Sequence, residues 1–89
     1  MEFKLNGFSY KTSPLMLGGN TEIRVLKYIK SRKGWKHMAA YTNNGFVYFT
    51  SKGKNYKINI ETHDLYQGKN FIENLHDEEE EIVLKGSSI

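Results

Sequence analysis

The chain has 89 residues, 38% of them hydrophobic, a formal net charge of +3 and no cysteine. A chain this short forms one small domain with a modest core, which we place at residues 1–85 with a frayed tail at 86–89. The lack of cysteine excludes disulfide frameworks, thiolate chemistry and zinc fingers. The N-terminus resembles no signal sequence and no apolar run could span a bilayer, so the sequence predicts a cytoplasmic protein that does not contact membranes.

Charge is distributed unevenly along the sequence. Residues 21–57 contain nine Lys and Arg residues but only one acid, which gives this segment a net charge of +8. Residues 58–89 contain two lysines and eight acids, a net charge of −6. The small total charge therefore conceals a strongly dipolar chain.

The N-terminal segment predicts a β-hairpin. Residues 2–11 contain an Asn-Gly dipeptide flanked by alternating apolar residues, which is the strongest short-range signal for a two-residue type I′ turn. This turn pairs Leu5 with Phe8 and Phe3 with Tyr10, so that all four side chains share one face.

The next two segments are predicted to be a loop and a helix. Residues 12–20 contain a proline and a Gly-Gly pair, both of which favour a loop. Residues 21–33 fit a helix, since Asn20 or Thr21 can cap its start, basic residues fill its last turns, and Gly34 follows its end. A strand is the alternative, because several of the apolar residues favour strands, although they do not alternate strictly.

Three strands are predicted next, at residues 35–42, 46–51 and 56–61, as an antiparallel meander joined by Asn- and Gly-containing turns. A two-residue turn at Asn44-Gly45 would pair Phe49 with Ala40. A second two-residue turn, at Gly53-Lys54, would pair Phe49 with Ile58. The predicted core face then contains Met38, Ala40, Val47, Phe49, Tyr56, Ile58 and Ile60. The opposite face contains Trp35, His37, Ala39, Tyr41, Phe46, Tyr48, Thr50, Lys57 and Asn59.

The C-terminal third is predicted to contain a loop or short helical turn at residues 62–70, a second helix at 69–78 and a closing strand at 80–85. The predicted fold class is therefore α+β. A small antiparallel sheet, made of the N-terminal hairpin and the three-stranded meander, packs against one or two helices.

The basic segment and the aromatic sheet face together indicate a nucleic-acid-binding protein. Lysine and arginine neutralise phosphates, and flat rings stack on the bases that a single strand exposes, which favours single-stranded RNA, or less strongly DNA, over duplexes. The predicted phosphate contacts are Arg24, Lys27, Lys30, Arg32, Lys33, Lys36, Lys52, Lys54 and Lys57. The predicted stacking residues are Trp35, Tyr41 and Tyr48, with His37 beside them.

A second hypothesis is a small phage-type inhibitor or adaptor that covers the surface of a partner protein, such as a nucleic-acid-handling host or defence factor. Its basic face would occupy an acidic patch or a nucleic-acid channel of the partner. The acidic run at residues 77–81 could mimic phosphates, either on the protein's own basic face or on that of a second copy, which leaves a homodimer open.

Little in the sequence indicates an enzyme. Two His-Asp dipeptides, at His63 and at His76, lack a third ligand at metal spacing, and neighbouring residues on a strand point to opposite faces. No glycine-rich phosphate loop precedes the predicted first helix. We therefore predict no catalytic residues, no metal and no cofactor, and a small nuclease using His37 is the alternative.

Residues 45–49, Gly-Phe-Val-Tyr-Phe, are similar to the end of the second signature of RNA recognition motifs. Asn44 stands where that signature has a stacking aromatic residue, and the first signature is absent. The meander is also loosely similar to cold-shock domains, in which a helix at residues 21–33 would be foreign. We assign neither family.

Overall fold

The computed structural model describes residues 1–17 and 20–75, and this part of the chain is entirely β. Its nine strands form two antiparallel sheets in which every strand pairs with its neighbours in sequence. The N-terminal sheet contains β1 (Glu2–Leu5), β2 (Phe8–Leu17), β3 (Asn20–Ile29) and β4 (Gly34–His37). The C-terminal sheet contains β5 (Ala40–Asn43), β6 (Phe46–Ser51), β7 (Lys54–Asn59), β8 (Asp64–Gln67) and β9 (Asn70–Asn74).

The predicted α+β class is wrong, because the expected first helix is strand β3. Val25 and Leu26, which are adjacent residues of β3, point to opposite faces of the sheet, and both are buried. Both faces of β3 are therefore covered, and apolar residues on two faces resemble the broad stripe of a helix. Gly34 does not cap a helix but begins β4, after a turn in which Lys33 has a positive φ of 51°.

The other three non-strand predictions change as well. Instead of forming a loop, residues 12–17 continue β2, which can include Pro14 because this part of β2 pairs with β3 but not with β1. Within the predicted loop at 62–70, residues 64–67 form β8, and within the predicted second helix at 69–78, residues 70–74 form β9. The predicted closing strand at 80–85 and the acidic run at 77–81 lie outside the described residues.

The hairpin predictions are confirmed where an Asn-Gly turn specifies them. In the N-terminal hairpin Leu5 pairs with Phe8, and both turn residues have positive φ, as type I′ requires. The first meander hairpin pairs Ala40 with Phe49, as predicted.

The second meander hairpin turns one residue earlier than expected, at Lys52-Gly53. Phe49 therefore pairs with Tyr56 and not with Ile58, a shift of two residues along β7. Because side chains alternate with a period of two, this shift leaves the same residues on each face.

The predicted single strand at residues 35–42 is wrong, because the chain bends at Met38 and passes from β4 in one sheet to β5 in the other. The Met38 amide donates a hydrogen bond to the Val25 carbonyl (2.9 Å), which extends the β3–β4 ladder. The Ile23 amide donates to the Thr42 hydroxyl oxygen (3.0 Å), which ties β3 to β5. Strands that change sheets in this way form the corners of packed β-sheets.

The core lies between the two sheets. Its buried residues are Phe3, Tyr10, Val25, Val47, Phe49, Tyr56, Ile58, Leu65 and Leu75. Across the interface, the rings of Phe3 and Phe49 lie 6.1 Å apart, and the Tyr10 and Ser51 hydroxyls share a buried hydrogen bond of 2.7 Å. The amide of Asn6 donates to the Ser51 hydroxyl, so the first hairpin turn is held against the second sheet.

Except for Ile60, the residues predicted for the core face of the meander do lie in or against the core. Val47, Phe49, Tyr56 and Ile58 are all buried, and the partly buried Met38 and Ala40 pack against the same cluster. Ile60 lines a cavity at the edge of the core.

Candidate nucleic-acid interface

The outward face of the C-terminal sheet carries a row of five rings and one lysine, to which all five strands contribute. On this face Tyr41 pairs with Tyr48, Tyr48 with Lys57, Lys57 with Tyr66, and Tyr66 with Phe71. We call the set of Tyr41, Phe46, Tyr48, Lys57, Tyr66 and Phe71 the aromatic row. Its members face outward because residues 47, 49, 56, 58 and 65, which alternate with them, point into the core.

Neighbouring rings in the aromatic row contact one another, while the two ends are open to solvent. The Tyr41 and Tyr48 rings stack with centroids 4.8 Å apart and planes 13° apart. At the other end, Tyr66 meets Phe71 edge to face at 5.7 Å. Tyr41 is 61% exposed and Phe71 is 57% exposed, so each end offers a large hydrophobic surface to a ligand.

Lys57 places a positive charge in the middle of the aromatic row. Its ammonium lies 4.6 Å from the ring centroid of Phe46 and 5.4 Å from that of Tyr66. Cation–π attraction holds the lysine over these two rings. The row therefore combines a cation with flat apolar surfaces, which are the two features that a single-stranded nucleic acid needs.

A groove of about 540 Å³ opens beside the Tyr41 end of the aromatic row. The residues that line it include Tyr41, Tyr48, Thr50, Asn55, Lys57 and Gly68, together with two alanines and two core rings. Thr50 and Asn55 are a cross-strand pair next to the β6–β7 turn, and both are exposed. The groove therefore has aromatic, polar and cationic parts.

Trp35 lies on the other sheet, in a separate cluster on the outward face of the N-terminal sheet. It pairs with Tyr28, whose ring meets it edge to face at 5.3 Å. The ammonium of Lys11 lies 4.5 Å from the centroid of the Trp35 ring. We call Lys11, Tyr28 and Trp35 the Trp35 cluster. His37 follows on the same face, paired with Leu26.

Two predicted phosphate contacts surround a different ring. The ammonium of Lys27 lies 3.6 Å from the ring centroid of Phe8, and that of Lys52 lies 5.5 Å from it. Phe8 follows the first hairpin turn, and Lys52 lies in the β6–β7 turn. The two sheets thus bring two lysines together at one end of the molecule.

The remaining predicted basic residues are exposed and spread over strands and turns. Lys30, Arg32 and Lys33 lie in the turn between β3 and β4, and all three are exposed. The others are Arg24 on β3, Lys36 on β4 and Lys54 at the start of β7. The predicted site therefore divides among two outward faces and several hairpin ends.

Three rings of the aromatic row are not among the predicted site residues. Phe46 was placed on the aromatic face but not among the stacking residues. Tyr66 and Phe71 were missed because their segments were interpreted as a loop and a helix. The sequence signal that could have located Tyr66 is its position next to the apolar Leu65, since neighbours on a strand point to opposite faces. In the structure Leu65 is fully buried and Tyr66 points outward.

A polar cluster closes the β8–β9 hairpin that carries Tyr66 and Phe71. Asp64 accepts hydrogen bonds from the Asn74 amide and from the Thr62 hydroxyl, each 2.9 Å long. These two bonds, that of Asn74 first, lower the pKa of the Asp64 carboxyl from its ordinary value. The cluster therefore links the start of β8 to the end of β9.

Within residues 1–17 and 20–75, no three His, Asp or Glu side chains come close enough together to form a metal site. The same residues contain no helix with the length and hydrophobicity needed to cross a membrane. Comparison with known proteins gave no match to any family model, curated protein or solved structure.

Proposed function

We propose that this protein binds single-stranded nucleic acid, with RNA favoured over DNA, through the aromatic row of its C-terminal sheet. The observation that carries the proposal is the series of ring contacts from β5 to β9, in which Phe46 and Tyr66 lie 6.0 Å apart and Lys57 on β7 lies over both. Sheet faces with outward rings are a common platform for single-stranded RNA.

The two ends of the aromatic row provide the stacking surfaces. Tyr41 on β5 and Phe71 on β9 are separated by four strand spacings, which is about 19 Å in a flat sheet. Bases stack on the exposed rings at these ends, while Lys57 attracts the phosphates that run between them. A duplex hides its base faces, so this surface discriminates in favour of single strands.

Basic residues at the hairpin ends add long-range attraction to the strand. The exposed Lys30, Arg32 and Lys33 lie in the β3–β4 turn, and Lys52 and Lys54 lie at the β6–β7 turn. Such residues contact phosphates without reading sequence, and the counterions that they release make binding weaken as salt rises.

A fluorescence titration tests the proposal directly. Labelled single-stranded RNA, single-stranded DNA and duplex DNA of equal length are titrated with the protein at low and high salt. We expect micromolar or tighter binding of the single strands at low salt, with a steep decrease in affinity at high salt. Absence of binding to any single strand at low salt would refute the proposal.

One observation favours the second candidate, an inhibitor or adaptor that binds a partner protein. Strand β9 pairs only with β8 among the described strands, and both Phe71 and Ile72 on it are exposed, Ile72 by 41%. An open strand edge with apolar side chains can pair with a strand of another chain.

Ile72→Lys separates this candidate from the first. The added charge should prevent strand pairing at the β9 edge while leaving Tyr41 and Tyr48 untouched. Light scattering measures whether the wild-type protein forms a homodimer or a complex with a partner protein. If Ile72→Lys abolishes that assembly and keeps its affinity for RNA, the partner function uses β9. Unchanged assembly would exclude β9 as the partner site.

A further inference from the structure

We infer that the groove beside Tyr41 and Tyr48 holds a single nucleobase and selects it by its hydrogen-bonding edge. This inference rests on the proposed function, because the base reaches the groove as part of a strand bound to the aromatic row. It goes further by predicting base preference, which stacking on rings does not provide.

The groove has one flat wall. The rings of Tyr41 and Tyr48 stack with centroids 4.8 Å apart and planes 13° apart, so each covers one face of the other, and the 61% exposed Tyr41 keeps an outer face for a base. The volume of about 540 Å³ lies within the range of small-molecule sites, about 300 to 1,000 Å³. A base that leaves the stack of its own strand can therefore be accommodated against these rings.

The polar groups of the groove lie together. Thr50 and Asn55 are directly opposite each other on β6 and β7, and neither side chain forms a hydrogen bond with another described residue. The Asn55 side chain offers a carbonyl acceptor and an amide donor, and the Thr50 hydroxyl can do either. Base edges present the same combination of donors and acceptors.

The β8–β9 turn fixes the position of Asn55. The backbone amide of Gly68 donates a hydrogen bond of 3.1 Å to the backbone carbonyl of Asn55, which ties the turn to β7 and leaves the Asn55 side chain free of this bond. Gly68 has a positive φ of 59°, and a Cβ added there would meet no atom within 4 Å. The rim is therefore open at Gly68, while the backbone that carries Asn55 is held in place.

Lys57 completes the groove with a charge that is independent of base identity. It lies on β7 two residues from Asn55, on the same outward face. A phosphate next to the bound base can approach its ammonium. The groove thus divides its contacts between Lys57 for the backbone and the Thr50–Asn55 pair for the base edge.

The test uses three labelled RNA decamers, each of a single base (A, C or U), titrated at constant salt. The wild-type protein should bind its preferred decamer about fivefold to tenfold more tightly than the weakest, the lower end for a bidentate base contact. Asn55→Ala and Thr50→Val should each bring this ratio close to one, with little change for the weakest decamer. Asn43→Ala is the matched control, since Asn43 is an exposed asparagine elsewhere on the same face.

The outcomes separate the inference from the proposed function. Equal wild-type binding of all three decamers, or a preference that survives both Asn55→Ala and Thr50→Val, would overturn the inference and leave the proposed function intact. If no decamer binds at low salt, the proposed function fails and the inference fails with it. Both substitutions are at exposed positions, and matching circular dichroism spectra would show that each variant folds.

Discussion

The outward faces of the two sheets have similar residues but differ in what they leave accessible. On the N-terminal sheet, Lys11 lies over the Trp35 ring, which is half-buried and has Tyr28 against it. On the C-terminal sheet, Lys57 lies in the middle of the aromatic row, which leaves the two end rings open. Rings and cations in a sequence therefore do not define a stacking site until their arrangement is known.

The double substitution Tyr41→Ala/Tyr48→Ala tests this comparison most strongly. It removes the stacked pair, and because each ring contributes about 1 to 3 kcal/mol per stacked base, we expect single-stranded RNA affinity to decrease by about 30-fold or more. Fluorescence titration at constant salt measures the change. An affinity within threefold of wild type would show that the aromatic row does not bind the strand.

Lys57→Gln should have the next largest effect, a decrease in affinity of about threefold to fivefold at low salt. Loss of one phosphate contact should also reduce the slope of log affinity against log salt by about 0.7 for a single strand. Lys33→Ala, in the β3–β4 turn, should reduce this slope similarly with a smaller loss of affinity. If neither variant changes the salt slope, phosphate binding lies elsewhere on the molecule.

Trp35→Ala should have a smaller effect on binding, a decrease of about twofold to threefold, because Lys11 already covers part of the ring. The same titration as for the tyrosines gives a direct comparison of the two faces. A loss larger than that of Tyr41→Ala/Tyr48→Ala would reverse the comparison and assign the principal site to the N-terminal sheet.

The smallest predicted effect concerns stability at acidic pH. The folded state lowers the pKa of Asp64 through hydrogen bonds from Asn74 and Thr62, so the carboxylate contributes stability above the ordinary pKa of aspartate. This contribution is lost as pH falls through the lowered value. Urea unfolding at several pH values should show a smaller acid-induced loss for Asp64→Asn than for wild type. Identical pH profiles would contradict a stabilising role for the carboxylate.

Hairpin turns were the most predictable part of the fold. The Asn-Gly turns predicted the pairing of Leu5 with Phe8 and of Ala40 with Phe49, because both central residues must adopt positive φ. Strand β3 was only the alternative to the predicted helix, since its apolar residues lie on two faces and match a helical stripe locally. Its outward face carries Leu26 and Tyr28, which pair with Lys11 of β2 and Trp35 of β4, and the pattern within residues 20–29 alone does not show these partners.

The candidate site was predictable only in part. The alternation along β5, β6 and β7 placed Tyr41, Tyr48 and Lys57 correctly on one face. Trp35 was grouped with them because the bend at Met38, where the chain changes sheets, leaves no signal in the alternation.

The sequential order of the strands has a consequence for how the interface forms. Every described strand pairs with a neighbour in sequence, so each sheet can assemble by closing short loops at little entropic cost. The docking of the sheets requires contacts between distant parts of the chain, such as Tyr10 and Ser51, which are 41 residues apart. The aromatic row belongs to one sheet alone, so its rings can be aligned by local hairpin formation before the long-range contacts of the core are made.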